Sequence, residues 1–349
     1  MIGNFRRRAS SVGGQEEEQE PQMNSSIRRL AVVVATLSVA FAACSSPGGG
    51  TSAAPGSSTG TGASAPVGGG NVNMAINPWV GYEANAAVVA HVLKNELGYT
   101  VTNKDLKEDV SWQGFETGEV DVIIEDWGHP ELQKKYVDED KVAQVAGETG
   151  NIGIIGWYVP KWLADEHPDI TDYNNLNKYA DLFKTSESGE LGQFLGSDPS
   201  YVQYDEALIK NLGLNFKVIF SGGEAATITA YQQSVTDKKP LIGYFWDPQW
   251  LHSQIDLVRV NLPPFEAGCD ADLEKVACDY PETPLTKIVS TKFATDGGKA
   301  YELVKNFTWT NDDQNAVSDM ITNQNMTAED AAAKWIAENE AKWKAWLPE

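Results

Sequence analysis

From residue 71 onward, short apolar runs alternate with helix-like stretches, and that alternation admits few folds. NVNMAIN (71–77) alternates as a strand should. ANAAVVAHVLKNELG (84–98) then places Ala87, Val88, His91, Val92 and Leu97 near one helical face, with Gly98 as the closing residue. YTVTN (99–103) and VDVIIE (120–125) read as the next strands. They are followed by IGIIGWYV (152–159), FKVIFS (216–221), PLIGYFW (240–246), LVRVNL (257–262) and LTKIVS (285–290). Helical stretches at 205–212 and 224–236 fall between them. Strands alternating with helices predict an α/β fold with parallel sheets. The C-terminal stretch is helical, and Trp335, Trp343 and Trp346 at helical spacing are expected to pack onto the body.

The segment before residue 71 has a different character. From Met23 the chain reads MNSSIRRLAVVVATLSVAFAAC, with Arg28 and Arg29 ahead of an apolar run that ends at Cys44. A short basic region, a short apolar core and small residues before a cleavage point make a secretory signal. The run is shorter than the roughly 20 residues that a membrane span needs. Ala42 and Ala43 before Cys44 resemble a bacterial lipobox, with Phe41 where leucine is usual. Cys44 is then the lipidation site; ordinary cleavage beside a chance cysteine is the alternative. Residues 1–22 are polar and do not belong in a signal, as expected if Met23 is the true start. Residues 45–70, SSPGGGTSAAPGSSTGTGASAPVGGG, lack the apolar surface to fold and read as a flexible tether.

Charge and cysteines narrow the function classes. The chain has 27 Lys and Arg against 49 Asp and Glu; without residues 1–43 these become 22 and 45, a net charge of −23. A nucleic-acid partner would demand a basic face, so none is expected. Cys269 and Cys278, in GCDADLEKVACDY, are most simply a local disulfide in an oxidising compartment, and no metal site is expected there. No phosphate loop, nucleophile elbow or paired-histidine metal motif occurs. SGGEA (221–225) between a strand and a helix could hold an anion on free amides, or be a plain tight turn.

The aromatic residues carry more. Trp79 follows the first strand in INPWVGYE, Trp127 the third in IIEDWGHP, and Trp246 closes a later strand in GYFWDPQW. Tyr201 lies in the turn-rich GSDPSYVQYDE. In open α/β sheets the residues just beyond the carboxyl ends of strands line the ligand crevice. Indoles placed there repeatedly are poorly explained by core packing. Converging aromatic faces suit a quaternary ammonium, each desolvated contact contributing up to about 2 kcal/mol. Three or four rings then approach the roughly 8 kcal/mol that micromolar binding requires.

NPWVGYEANAAVVAHVLKNELGY, WQGFETGEVDVIIEDWGHP, GIIGWYVP, GSDPSY, PLIGYFWDPQW and the final QNAVSDMI…WI…WL region resemble the substrate-binding proteins of glycine betaine/choline-type ABC importers. The resemblance covers residues 71–349 and implies two α/β lobes of the periplasmic-binding-protein (type II) kind. Lobe one is expected at 71–155, lobe two at 156–260 and the return to lobe one at 261–349, with crossings near 150–159 and 256–264. It further implies a cage of Trp79, Trp127, Tyr201 and Trp246, Trp157 being a reserve member. Expected partners are a quaternary ammonium ligand such as glycine betaine, choline or carnitine, and a permease with its cytoplasmic ATPase. The resemblance calls for no cofactor and no catalytic residue, and the protein is expected as a monomer anchored to the outer face of the cell membrane.

The charged residues beside Trp127 leave alternatives open. His129 could donate to a ligand carboxylate or simply cap local structure. Glu125 and Asp126 could complement the ammonium, or orient the turn; both pointing inward would favour choline. A reading from another class is an envelope hydrolase using Glu125, Asp126 and His129.

Overall fold

In the computed structural model, which describes residues 69–349, β1 (Asn71–Ile76) buries Val72, Met74 and Ala75 and is flanked by two parallel neighbours. These are β2 (Thr100–Asp105) and β3 (Val122–Asp126). The signal segment, Cys44 and all of the tether before residue 69 lie outside the described residues. Helix α1 (Val80–Asn95) connects β1 to β2, and helix α2 (Glu108–Thr117) connects β2 to β3. Helix α1 starts four residues earlier than expected, directly after Trp79. Its small residues Ala84, Ala86 and Ala90 are buried because helices Asn311–Thr322 and Ala328–Glu338 pack against it. The C-terminal segment thus returns to this first half. Trp335 stacks on Trp346 at 5.9 Å, and Trp343 is buried with them, as the helical spacing suggested.

The sheet departs from the expected parallel pattern at one long strand. β4 (Ala143–Pro160) runs 18 residues, where the sequence suggested only 152–159. Its first part is polar and broken by Gly147 and Gly150, both at positive φ, so it lacks a strand's alternation. Five further strands complete the sheet: β5 (Gly192–Gly196), β6 (Phe216–Phe220), β7 (Gly243–Asp247), β8 (Leu257–Arg259) and β9 (Glu282–Ser290). The order is β2-β1-β3-β9-β4-β7-β5-β6, with β8 on β4. β4 pairs antiparallel with β9 from Ala143 to Ile154, with β7 from Ile154 to Tyr158, and with β8 from Tyr158 to Pro160. β9 is also antiparallel to β3, whereas β5 is parallel to β6 and β7. The sheet is therefore mixed: two parallel halves joined by antiparallel β4 and β9.

One further difference has a local cause. β5 escaped the sequence pattern because both its ends are glycine; a Cβ at Gly196 would sit 2.7 Å from the Phe220 ring. Around the return expected at 256–264, β8 and β9 divide their pairing. β8 still pairs with the far end of β4, and only β9 reaches β3. Between β8 and β9 the Cys269–Cys278 disulfide clips the loop, with Cα atoms 6.3 Å apart. No helix among the described residues is long and apolar enough to cross a membrane.

Closing so short a loop removes entropy from the unfolded chain, about 2–3 kcal/mol on a loop-closure estimate. The double variant Cys269→Ser/Cys278→Ser is expected to lose that much stability in denaturant unfolding. An unchanged midpoint would show that β8 and β9 constrain the loop without it.

Candidate functional site

Because β1 and β3 are parallel neighbours, their carboxyl ends lie side by side, and Trp79 and Trp127 leave the sheet together. Glu125 stands two residues before Trp127, and successive side chains of a strand alternate, so both project to one side. Its Oε1 accepts the indole N–H of Trp79 at 2.9 Å and that of Trp127 at 2.6 Å. Its Oε2 accepts from the side-chain amides of Asn85 and, at 3.2 Å, Gln314. Gly81 makes room for this: a Cβ there would collide with the Gln314 amide.

The two indoles form one wall of a cavity with about 260 Å³ of non-atom space, part of it open to solvent. The opposite wall is Tyr201, Val202, Tyr244 and Trp246. Ile155 of β4 lies between, paired across the sheet with Trp246 of β7. The rings meet edge to face: Trp79 to Tyr201 at 5.4 Å, and Tyr201 to Trp246 at 5.8 Å. Trp127 lies against β4 at Gly153, where a Cβ would come within 2.6 Å of the ring. The strand that joins the two halves therefore has to carry glycine at this point.

Three polar contacts hold the halves together around the cavity. The Tyr201 hydroxyl donates to Pro78 O at 2.9 Å, and the Val80 amide, at the start of α1, donates to Glu224 at 2.8 Å. Lys107 pairs with Asp198 at 3.1 Å. Glu224 comes from the SGGEA turn, so that turn presents a carboxylate to the α1 N-terminus.

The structure brings Trp79, Trp127, Tyr201 and Trp246 together and places the other two candidates elsewhere. Trp157 is 1% exposed; its N–H donates to buried Asp205 at 2.7 Å and its ring lies 4.5 Å from Phe194, in the core. His129 does not line the aromatic cavity. Its Nδ1 contacts Asp126 at 2.6 Å and its Nε2 lies 3.5 Å from Glu108, so both ring nitrogens face protein carboxylates. Glu125, Asp126 and His129 do not form one constellation: Glu125 holds the indoles, while Asp126 serves His129, Gln133 and Thr286. Of the acidic residues, Glu108 is the one that lines the cavity. An acid in the first turn of a helix normally reads as a solvated complement to the dipole, which is why sequence passes over it.

Burial sets the electrostatics. It pushes Glu125 up to about 7, against the pull of the indole N–H groups of Trp79 and Trp127. Burial raises Glu224 to about 8 and Asp205 to about 6. Burial alone would lower His129, but Glu108 and Asp126 outweigh it and hold the imidazolium well above its ordinary range.

This fold and this pocket define a two-lobed solute-binding protein. Residues 70–338 match the family described as the substrate binding domain of the ABC-type glycine betaine transport system, and the chain belongs to that family. Members are extracytoplasmic components of importers, not enzymes. A trimethylamine N-oxide-binding protein of Pelagibacter ubique is 24% identical over 269 residues, 73% of this chain and 85% of that protein. Among solved structures, lactococcal OpuAC closed on glycine betaine is similar with a TM-score of 0.65 at 21% identity, covering 80% of this chain and all (100%) of that one. A choline-binding protein in complex with choline is similar with a TM-score of 0.65 at 18% identity, covering 79% and 91%.

The raised carboxylates make a pH prediction. Each keeps its proton in the folded state to a higher pH than in the unfolded chain. Their stabilising effect is complete below the unfolded values and is lost as pH rises through the folded ones, about 6 to 8. The ligand-free protein should therefore melt several degrees higher near about pH 5 than near about pH 8.5. A melting temperature that is flat or rises across this window, followed by calorimetry, would contradict the burial argument.

Proposed function

We propose that this chain captures a small solute bearing a trimethylammonium group, such as glycine betaine, choline or carnitine, and delivers it to an ABC permease driven by a cytoplasmic ATPase. The observation that carries the reading is the convergence of Trp79, Trp127, Tyr201 and Trp246 on one small cavity, with two of the indoles tied to a buried carboxylate. A methylated ammonium donates no hydrogen bond, so ring faces are its best partners, and an anion behind the indoles deepens their negative faces. No covalent step is required.

In this reading the lobes divide at the long strands. Lobe one comprises 71 to about 155 together with the segment from β9 to the C-terminus, and lobe two lies between. The Tyr201–Pro78, Glu224–Val80 and Lys107–Asp198 contacts fasten the closed form. Closure excludes water, which strengthens each ring contact and presents one conformation to the permease. His129 serves by orienting Glu108 rather than by touching a ligand carboxylate. The leader before residue 44 and the tether after it fit a monomer held by lipidated Cys44 at the outer face of the cell membrane. Trimethylamine N-oxide joins the candidate ligands because a relative is named for it.

Calorimetric titration with glycine betaine, proline betaine, choline, carnitine and trimethylamine N-oxide tests the reading. At least one should bind at about micromolar strength, and Trp127→Ala should weaken it about thirtyfold, the equivalent of one desolvated ring contact. Silence from all five up to about millimolar concentration would end the proposal.

A further inference from the structure

Glu108 is the first residue of α2 and only 5% exposed, yet it lines the aromatic cavity. Its two oxygens have different surroundings. Oε1 lies 3.5 Å from His129 Nε2. Oε2 is buried and has no hydrogen-bond partner. A buried carboxylate oxygen without a donor is costly, and native structures rarely leave one unless something else supplies the donor. The remaining polar groups of the wall are already engaged. The N–H groups of Trp79 and Trp127 donate to Glu125, the Tyr201 hydroxyl to Pro78 O, and the Tyr244 hydroxyl to Val202 O at 3.1 Å. The open valence in this wall is therefore an acceptor.

We infer that Glu108 selects the second group of the ligand, which is a trimethylammonium alcohol with a net positive charge, choline being the simplest, rather than a betaine or an N-oxide. The inference rests on the reading of the cavity as a trimethylammonium site. The ammonium occupies the rings, and the hydroxyl donates to Oε2.

The charge state of Glu108 supports this choice. Burial raises its affinity for a proton, and Asp126 and Asp198 add to that, while His129 opposes it. Two more influences favour the anion once a ligand is present. The free amides of the α2 N-terminus lie beside its first residue, and the ligand's ammonium is a cation in a cavity lined mostly by rings and apolar side chains. An ionised Glu108 accepts from a hydroxyl and repels the oxygens of a carboxylate or an N-oxide. A site built around a buried acceptor discriminates strongly, because the wrong ligand leaves that acceptor unpaired.

The test compares choline, glycine betaine and trimethylamine N-oxide by calorimetric titration of the full chain and of Glu108→Gln, with thermal unfolding as a check on folding. For the unaltered protein, choline is expected to bind about tenfold or more tightly than either oxygen-anion ligand. In Glu108→Gln the amide can turn its NH2 toward the cavity. Choline should then weaken about tenfold or more, while the other two hold or tighten, so the ratio of affinities collapses. A change in that ratio is not something a merely loosened fold produces. Tighter or equal binding of glycine betaine or the N-oxide by the unaltered protein overturns the inference and leaves the aromatic site standing. So does a variant in which all three ligands weaken by the same factor. Absence of binding by every ligand overturns both the inference and the reading beneath it.

Discussion

One carboxylate organises the ligand side of this molecule. Glu125 sits at the end of β3, nearly inaccessible, and accepts four side-chain N–H groups. Two are the indoles of Trp79 and Trp127, one belongs to Asn85 in α1, and one to Gln314 in a helix far along the chain. A buried anion is tolerated only when its lone pairs are satisfied, so these four groups are fixed by the same requirement. The consequence reaches well beyond the cavity. The end of β1, the first turns of α1 and the returning C-terminal helices all have to meet at this one side chain. An aromatic wall on flexible strand ends would lose its shape; tied to Glu125, it is held before any ligand arrives.

The second half of the cavity stands on β4. That strand is long enough to belong to both halves of the sheet, with Gly153 under Trp127 and Ile155 beside Trp246. Within the sheet, β4 and β9 are the strands that connect the two halves. Tyr201, Glu224 and Lys107 then bridge the gap with bonds that are individually modest.

The acidic residues form a layered system around the rings. Glu125 lies behind the indoles, Glu108 beside the cavity, and Asp126 behind His129. Burial raises the proton affinity of Glu125 and Glu108, and a cation in the cavity would offset it. The site therefore holds a latent negative charge that a quaternary ammonium completes.

Much of this was legible in the residues themselves. A strand's apolar alternation and a helix's periodicity are local, so most of the β1–β3 region, α1, β6 and β7 were found near their places. The indoles at strand ends could be recognised because no core position explains them, and the sheet brings Trp79, Trp127 and Trp246 to one cavity as their positions suggested. The expected signal, lipidation site and tether lie outside the described residues. Tertiary structure decided the rest. The polar half of β4 and the glycine-ended β5 carry no alternation, and only their partners make them strands. Glu108 draws no reading from the sequence, and His129 reads either as a ligand donor or as a cap of local structure. Each acquired its role from the other across a gap of 21 residues. Sequence periodicity tells which face a side chain takes, whereas its partner, and hence its charge and chemistry, depends on what the folded chain brings against that face.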